Sequence, residues 1–251
     1  MFHKFEQIYA LTADGSEVSF KNNTLTKFAF KAIGIPHIQL RLRSRKIMNN
    51  IPTKSSKMLD AGFGTGIYSL ILENKVAEIT GIDLDIKKVN FIKNHAVFSN
   101  IRFQQMDLTN LGFPNSSFDL IVCSDVLEHI QNDELAFSEL ARVLKCGGTL
   151  ILTVPFLSNG NVNVHKQFHH ERAGYTTKEI LKLCFQYGLT IEKEEFYSHA
   201  LSNMTSAMCS KMLNDRYALT LFFCITYPFI LLAESFPIRG TPSGIFYLVR
   251  K

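Results

Sequence analysis

An α/β fold, with helices packed against a parallel sheet, is predicted by three observations: short apolar runs of strand length, longer amphipathic runs between them, and Gly, Asp or Pro at most junctions. From Lys57 the runs are KMLDAG, TGIYSLILENK, EITGIDLD, DIKKVNFIKNHAVF, IRFQQMD, FDLIVCSDV, NDELAFSELARVLK and TLILTVP. The near-continuous apolar character of the short runs suits strands covered on both faces, as crossover helices require. In the long run before the last strand, Ala136, Leu140, Val143 and Leu144 fall at i, i+4, i+7 and i+8, on one helical face.

The later elements follow by the same logic. Thr176 and Glu179 form an S/T-x-x-E capping box ahead of Ile180, Leu183, Cys184 and Tyr187, which predicts a helix from about Thr177 and an end at Gly188. TIEKEEFYS reads as a further strand and GIFYLVRK as the last one. Between them lies YALTLFFCITYPFILLA, Tyr217 to Ala233, without a charged residue. It is shorter than the roughly 20 residues of a membrane span and contains Pro228, so it reads as a buried helix or helix pair, or as an interfacial hairpin. At the other end, residues 1–52 read as a helical cover, with helix-like runs around Thr26 to Ile33 and Pro36 to Met48. The second run carries Arg41, Arg43 and Arg45. The remainder, 53–251, reads as one domain with an apolar helical insertion at about 200–240.

With 46% hydrophobic residues among 251, the chain can bury a substantial core. A net charge of +5 without a long basic block describes an ordinary slightly basic enzyme better than a nucleic-acid binder. Cys123, Cys146, Cys184, Cys209 and Cys224 are odd in number, scattered and without a C-x-x-C pair, which suits a reducing cytoplasm. The stretch MFHKFEQIYALTADG has no apolar h-region, so export through a signal peptide is not expected.

The chemistry concentrates in LDAGFGTG, Leu59 to Gly66, where Gly62, Gly64 and Gly66 alternate as a strand turns into a helix. Glycine tolerates positive φ and lets backbone approach a ligand. Asp83 ends the next strand, 17 residues beyond Gly66, where a carboxylate can accept both ribose hydroxyls of a nucleoside. A dinucleotide fingerprint G-x-G-x-x-G starting at Gly62 would need glycine where Ile67 stands, whereas G-x-G-x-G fits as written.

With QMDL, FDLIVCSDVLEHI and ELARVLKCGGTLILTVP following in order, the segment Leu59 to Pro155 resembles the class I S-adenosylmethionine-dependent methyltransferases, in particular the group that includes the ubiquinone-biosynthesis O-methyltransferases. The resemblance implies a Rossmann-like seven-stranded sheet, mostly parallel with an antiparallel C-terminal strand and helices on both faces. It implies S-adenosylmethionine as cofactor. Asp60 is then expected to orient the methionine end, Gly62, Gly64, Thr65 and Gly66 to form the backbone cradle, and Asp83 to bind the ribose. Leu84 is expected on the adenine face, Asp107 at the adenine amine, Leu108 as a backbone donor, and Ser124 with Asp125 beside the sulfonium. Phe63 departs from the family pattern, and its ring either crowds the cofactor or points into the core.

A hydroxyl acceptor needs its proton removed, which makes His129 and His169 the candidate catalytic residues, with His165 and His170 nearby. No histidine or cysteine grouping has the fixed three-ligand spacing of a metal site. The N/D-P-P-Y/F segment of enzymes that methylate the exocyclic amines of bases is replaced by CSDVLEHI, which disfavours nucleic acid as partner. The apolar run at 217–233, with the Arg-bearing helix, suggests a lipid-linked acceptor and peripheral membrane contact; the first reading is therefore methyl transfer to a small-molecule or lipid-linked acceptor at oxygen. Two alternatives stand beside this: a non-catalytic S-adenosylmethionine-binding partner subunit, with the apolar insertion as docking surface, and a nucleotide-dependent oxidoreductase.

Overall fold

The computed structural model describes residues 38–53, 55–95, 99–158, 171–199, 202–204, 225–226, 228–230, 232 and 240–251. In chain order the elements are α1 (Ile38–Asn49), β1 (Lys57–Ala61), α2 (Ile67–Leu72), β2 (Glu78–Asp83), α3 (Ile86–His95), β3 (Ile101–Gln105), β4 (Phe118–Ser124), a single 3₁₀ turn (Leu127–His129), α4 (Asp133–Val143), β5 (Leu144–Pro155), α5 (Thr177–Gln186), β6 (Thr190–Tyr197) and β7 (Gly244–Arg250). The strands form one seven-stranded sheet in the order β3-β2-β1-β4-β5-β7-β6. Pairings from β3 through β5 are parallel, and β7 lies antiparallel between β5 and β6.

Period-two alternation in the central strands explains why two cores form. Leu59 and Ala61 of β1, Ile121 and Cys123 of β4, and Leu150 and Leu152 of β5 face α4 and α5, where Ala136, Phe137, Leu140, Ile180 and Cys184 are buried. Met58, Leu120, Val122 and Ile151 point the other way, toward Leu42 and Ile47 of α1, Tyr68 of α2 and Val89 and Ile92 of α3. Helices therefore cover both faces, as the apolar character of the strands requires.

One boundary differs from the sequence pattern. Leu144 lies on the helical face by spacing, but its backbone is extended, it caps α4 and it pairs with Phe118 as the first residue of β5. The reversal that follows passes through Gly147 at φ +74 and Gly148, where a Cβ would meet both Leu144 and the Lys145 carbonyl at 2.7 Å. Strand pairing therefore outweighs helical periodicity at this point.

The capping box ahead of α5 is present: Thr176 Oγ1 accepts from the Glu179 N–H at 3.3 Å, and the Glu179 carboxylate accepts from the Thr176 N–H at 2.7 Å. Glu179 also pairs with Arg172, whose guanidinium reaches Asp133 at 2.8 Å and stacks over Tyr175. Thr176→Ala should cost about 1 kcal/mol, the usual worth of an N-cap. In a chain of this size that is a fall of about 2–4 °C in the thermal midpoint, readable by circular dichroism.

The run Thr26 to Ile33, Pro36, and Phe222 and Phe223 of the apolar segment lie outside the described residues. Within 217–233 the described positions are helical, with Ile230 buried and Ile225, Phe229 and Leu232 exposed. Among the described residues no helix is long and apolar enough to cross a membrane.

Candidate active site

The strand order reverses between β1 and β4, and in open α/β sheets ligands bind where the carboxyl ends of such strands part. The glycine turn leaves β1 at that point. The Gly62 and Phe63 N–H groups both donate to the Ile82 carbonyl, at 2.8 and 2.9 Å, which folds the turn back onto the end of β2. Gly62 has φ +73, and a Cβ there would lie 2.5 Å from Val126 Cγ2. Gly64, at φ +54, faces open space. Thr65 is half-buried between them and Gly66, which is the residue before α2. The Phe63 ring is buried edge-on against Phe103, with centroids 4.8 Å apart, so it enters the core and leaves the cradle clear.

Two acids set the geometry of the turn. Asp83 accepts the Gly64 N–H on one carboxylate oxygen and the Asp85 N–H on the other, both at 2.9 Å. Each oxygen retains a further lone pair for a ligand hydroxyl. Asp60 is buried, and one of its oxygens accepts both the backbone N–H and the hydroxyl of Ser69, at 3.0 and 2.6 Å. It thereby satisfies an N–H in the first turn of α2, whose N-cap supplies no side-chain bond. Beside Asp83, the Leu84 side chain is 67% exposed and presents an apolar surface. After β3, Asp107 accepts from the N–H and hydroxyl of Thr109 at 2.8 and 2.7 Å, and Leu108 is buried.

Across the switch point, β4 ends in a polar cluster. Ser124 Oγ lies 3.3 Å from the Tyr68 hydroxyl and 2.9 Å from Thr153 Oγ1. Thr153 Oγ1 donates to Asp125 at 3.0 Å, and the Asp125 N–H donates to the Thr153 carbonyl at 2.9 Å. Asp125 has φ +53, an uncommon conformation for a residue with a side chain. Arg43 of α1 forms an ion pair with Asp125 and donates from Nε to the Tyr68 hydroxyl at 3.2 Å. The family resemblance singled out Ser124 and Asp125 but not Arg43, Tyr68 or Thr153. A signal for Arg43 did exist: residues two apart lie on different helix faces, so Arg41, Arg43 and Arg45 cannot all point to solvent on a helix that packs on a sheet.

Glu128, next to the exposed His129, is 1% exposed, and among the described residues no other residue donates a hydrogen bond to either carboxylate oxygen. Burial raises it to about 7; its own N–H and the positive charge of Arg43 offset only part of this. Burial also raises Asp60, to about 6, against the two bonds from Ser69 and with help from the Asp83 charge. His165, His169 and His170 lie outside the described residues.

These two raised carboxyls give stability a definite pH slope. In the unfolded chain both ionise near their ordinary values of 3.8 and 4.5, while the folded protein keeps their protons to about 6 and 7. The folded state therefore binds more protons across that window, and stability should fall as pH rises from about 5 to 8. The paired acids Asp119, Glu139, Glu179, Glu192 and Glu195 are lowered and act oppositely, so stability should also fall in strong acid. Urea unfolding across this range should show an optimum on the acid side of neutrality. A stability rising steadily from pH 5 to 8 would contradict the burial of these groups.

Known proteins share both the motifs and the fold. Residues 59–152 match a family model described as a methyltransferase domain. A ubiquinone biosynthesis O-methyltransferase of Coxiella burnetii is 31% identical over 119 residues, which cover 47% of this chain and 51% of that protein. The chain thus spans about half the length of the curated relatives it matches. Among solved structures, the [4+2]-cyclase SpnF superposes with a TM-score of 0.60 at 19% identity, covering 84% of this chain and 80% of its own. An S-adenosylmethionine-dependent methyltransferase of Mesorhizobium loti superposes with a TM-score of 0.57 at 16% identity, covering 82% and 96%. Residues 59–152 therefore match a methyltransferase domain, and the described sheet and helices have the fold of these solved structures.

Proposed function

We propose that the chain is an S-adenosylmethionine-dependent methyltransferase acting on a small-molecule or lipid-linked acceptor at oxygen. The observation that carries this reading is the unobstructed turn at the switch point: open space at Gly64, the Asp83 carboxylate behind it and the exposed face of Leu84 beside it. That combination offers a nucleoside a backbone cradle, a ribose acceptor and an apolar surface for its base. Gly62, Gly64, Thr65 and Gly66 would hold the cofactor, with Asp83 on the ribose, Leu84 on the adenine face, Asp107 and Leu108 at the adenine edge, and Ser124 near the methionine end. Asp60, through Ser69, would fix the first turn of α2 beneath that end.

When bound, S-adenosylmethionine supplies a methyl group already activated on a sulfonium. The protein's part is then to align the acceptor, exclude water and take a proton. Oxygen as the target is supported by the similarity to the Coxiella burnetii O-methyltransferase. A lipid-linked acceptor is supported by the apolar run at 217–233, where Ile225, Phe229 and Leu232 are exposed. If that run meets lipid, deleting residues 217–233 should abolish liposome co-sedimentation, and binding that ignores the deletion would sink the idea.

A second reading, in which the fold serves chemistry other than methyl transfer, is favoured by the similarity to a [4+2]-cyclase. Isothermal titration with S-adenosylmethionine, S-adenosylhomocysteine and NAD should give micromolar binding of the two sulfur ligands and none of NAD. Binding of NAD alone would revive an oxidoreductase. Binding of both sulfur ligands, with no methyl transfer to any hydroxyl acceptor in lipid or metabolite extracts, would favour the second reading.

A further inference from the structure

We propose that Glu128 is the proton acceptor for a hydroxyl-bearing acceptor molecule, its two buried and unpartnered carboxylate oxygens receiving the O–H at the end of β4 beside Ser124 and Asp125. This rests on the methyltransferase reading and adds to it the group that takes the proton and the kind of acceptor it would recognise.

A carboxylate held away from water without donors is costly, and buried polar groups in folded proteins are almost always satisfied. Glu128 is an exception: among the described residues no other residue donates to either of its oxygens. The cation coupled to it does not resolve it. Arg43 feels the Glu128 charge, but its guanidinium is engaged with Asp125 and Tyr68. Glu128 thus couples electrically to the Arg43 that pairs with Asp125 at the end of β4, and it stands only two residues beyond Val126, whose side chain lies against Gly62 of the cofactor turn.

A carboxylate offers acceptors only, so whatever completes the site must bring a donor. An acceptor's O–H meets that need and also gives the carboxylate something to do. The O–H bond breaks and the proton passes to a Glu128 oxygen. The electron pair left on the acceptor oxygen forms the new bond to the methyl carbon, as the carbon–sulfur bond breaks with its pair on sulfur. Glu128 gives the proton up to solvent once the methylated product has left and water can reach its carboxyl.

The groups facing Glu128 are Arg43 from α1, Cys123 from β4, Tyr175 ahead of α5 and Tyr197 from β6. Burial raises the thiol and both phenols. Burial acts to lower Arg43, but its neighbours Tyr68, Tyr197 and Glu128 hold it above its usual value. Between pH 6 and 8, Glu128 is therefore the one of these five that changes charge, because a proton is lost there near 7.

The test uses phenol as the probe, titrated calorimetrically into the full chain with and without S-adenosylhomocysteine, for wild type, Glu128→Gln and Glu128→Leu. In wild type, phenol should bind about tenfold more tightly at pH 8 than at pH 6, because the ionised fraction of a group near 7 rises by that factor. Both variants should lose about tenfold or more in phenol affinity at pH 8 and show no dependence on pH, while S-adenosylhomocysteine affinity stays within about twofold. Glu128→Leu leaves no polar atom to satisfy, so it decides the matter if the amide of Glu128→Gln disturbs the fold. Equal phenol binding in wild type and variants, no phenol binding in wild type, or a wild-type affinity indifferent to pH would each overturn the proposal. Failure of wild type to bind S-adenosylhomocysteine would instead remove the methyltransferase reading, whatever phenol does.

Discussion

Replacing Asp83 by alanine should weaken S-adenosylhomocysteine binding about a hundredfold or more. A hydrogen bond to a charged group is worth about 1.5–3 kcal/mol, and losing two from a ribose exceeds the 2.8 kcal/mol that a hundredfold change represents. The same carboxylate also holds the turn, because its oxygens take the Gly64 and Asp85 N–H groups. Asp83→Asn separates the two contributions. It keeps the side chain's shape and one acceptor oxygen, so it should lose about tenfold, chiefly from charge. Calorimetric titration reads both variants. An Asp83→Ala protein that is folded and binds the ligand as tightly as wild type would place the ribose elsewhere.

A second large effect is a contrast between two glycines in one turn. Gly62→Ala combines a left-handed backbone with a Cβ 2.5 Å from Val126 Cγ2, in a place where the neighbour is a branched side chain. The backbone term costs about 1–2 kcal/mol and overpacking about 1–3 kcal/mol. In a chain of this length the sum, about 2–5 kcal/mol, is a fall of about 4–20 °C in the thermal midpoint. Gly64→Ala pays only the backbone term, since its Cβ would stand in open space. It should stay folded, with a midpoint only about 2–6 °C lower, yet lose cofactor affinity, because the space it enters is the proposed cradle. Val126→Ala should recover part of the Gly62→Ala loss and none of the Gly64→Ala loss. Equal destabilisation by the two substitutions would show that backbone strain, not the contact with Val126, sets the cost.

How much of this was legible beforehand varies by element. The strand and helix order from Lys57 onward was readable because strands buried on both faces are nearly continuous apolar runs, punctuated by glycine and aspartate. The capping box was readable because two side chains three residues apart satisfy each other locally. The start of β5 was not, because the pairing of Leu144 with Phe118 is a contact between residues far apart in sequence. The cluster at the end of β4 was half visible. Ser124 and Asp125 carry their own motif, whereas Arg43 and Tyr68 reach them from distant elements.

What the sequence by itself determined is the fold class, the position of the glycine turn and the acid that follows it, since each rests on periodicity or on residues close along the chain. Only the tertiary structure decided which way Phe63 points, which of three arginines turns inward, and that Glu128 rather than its neighbour His129 is buried. The physical reason is common to all three. A side chain's burial, charge partner and ionisation depend on what other elements pack against it, and one strand's periodicity carries no record of that.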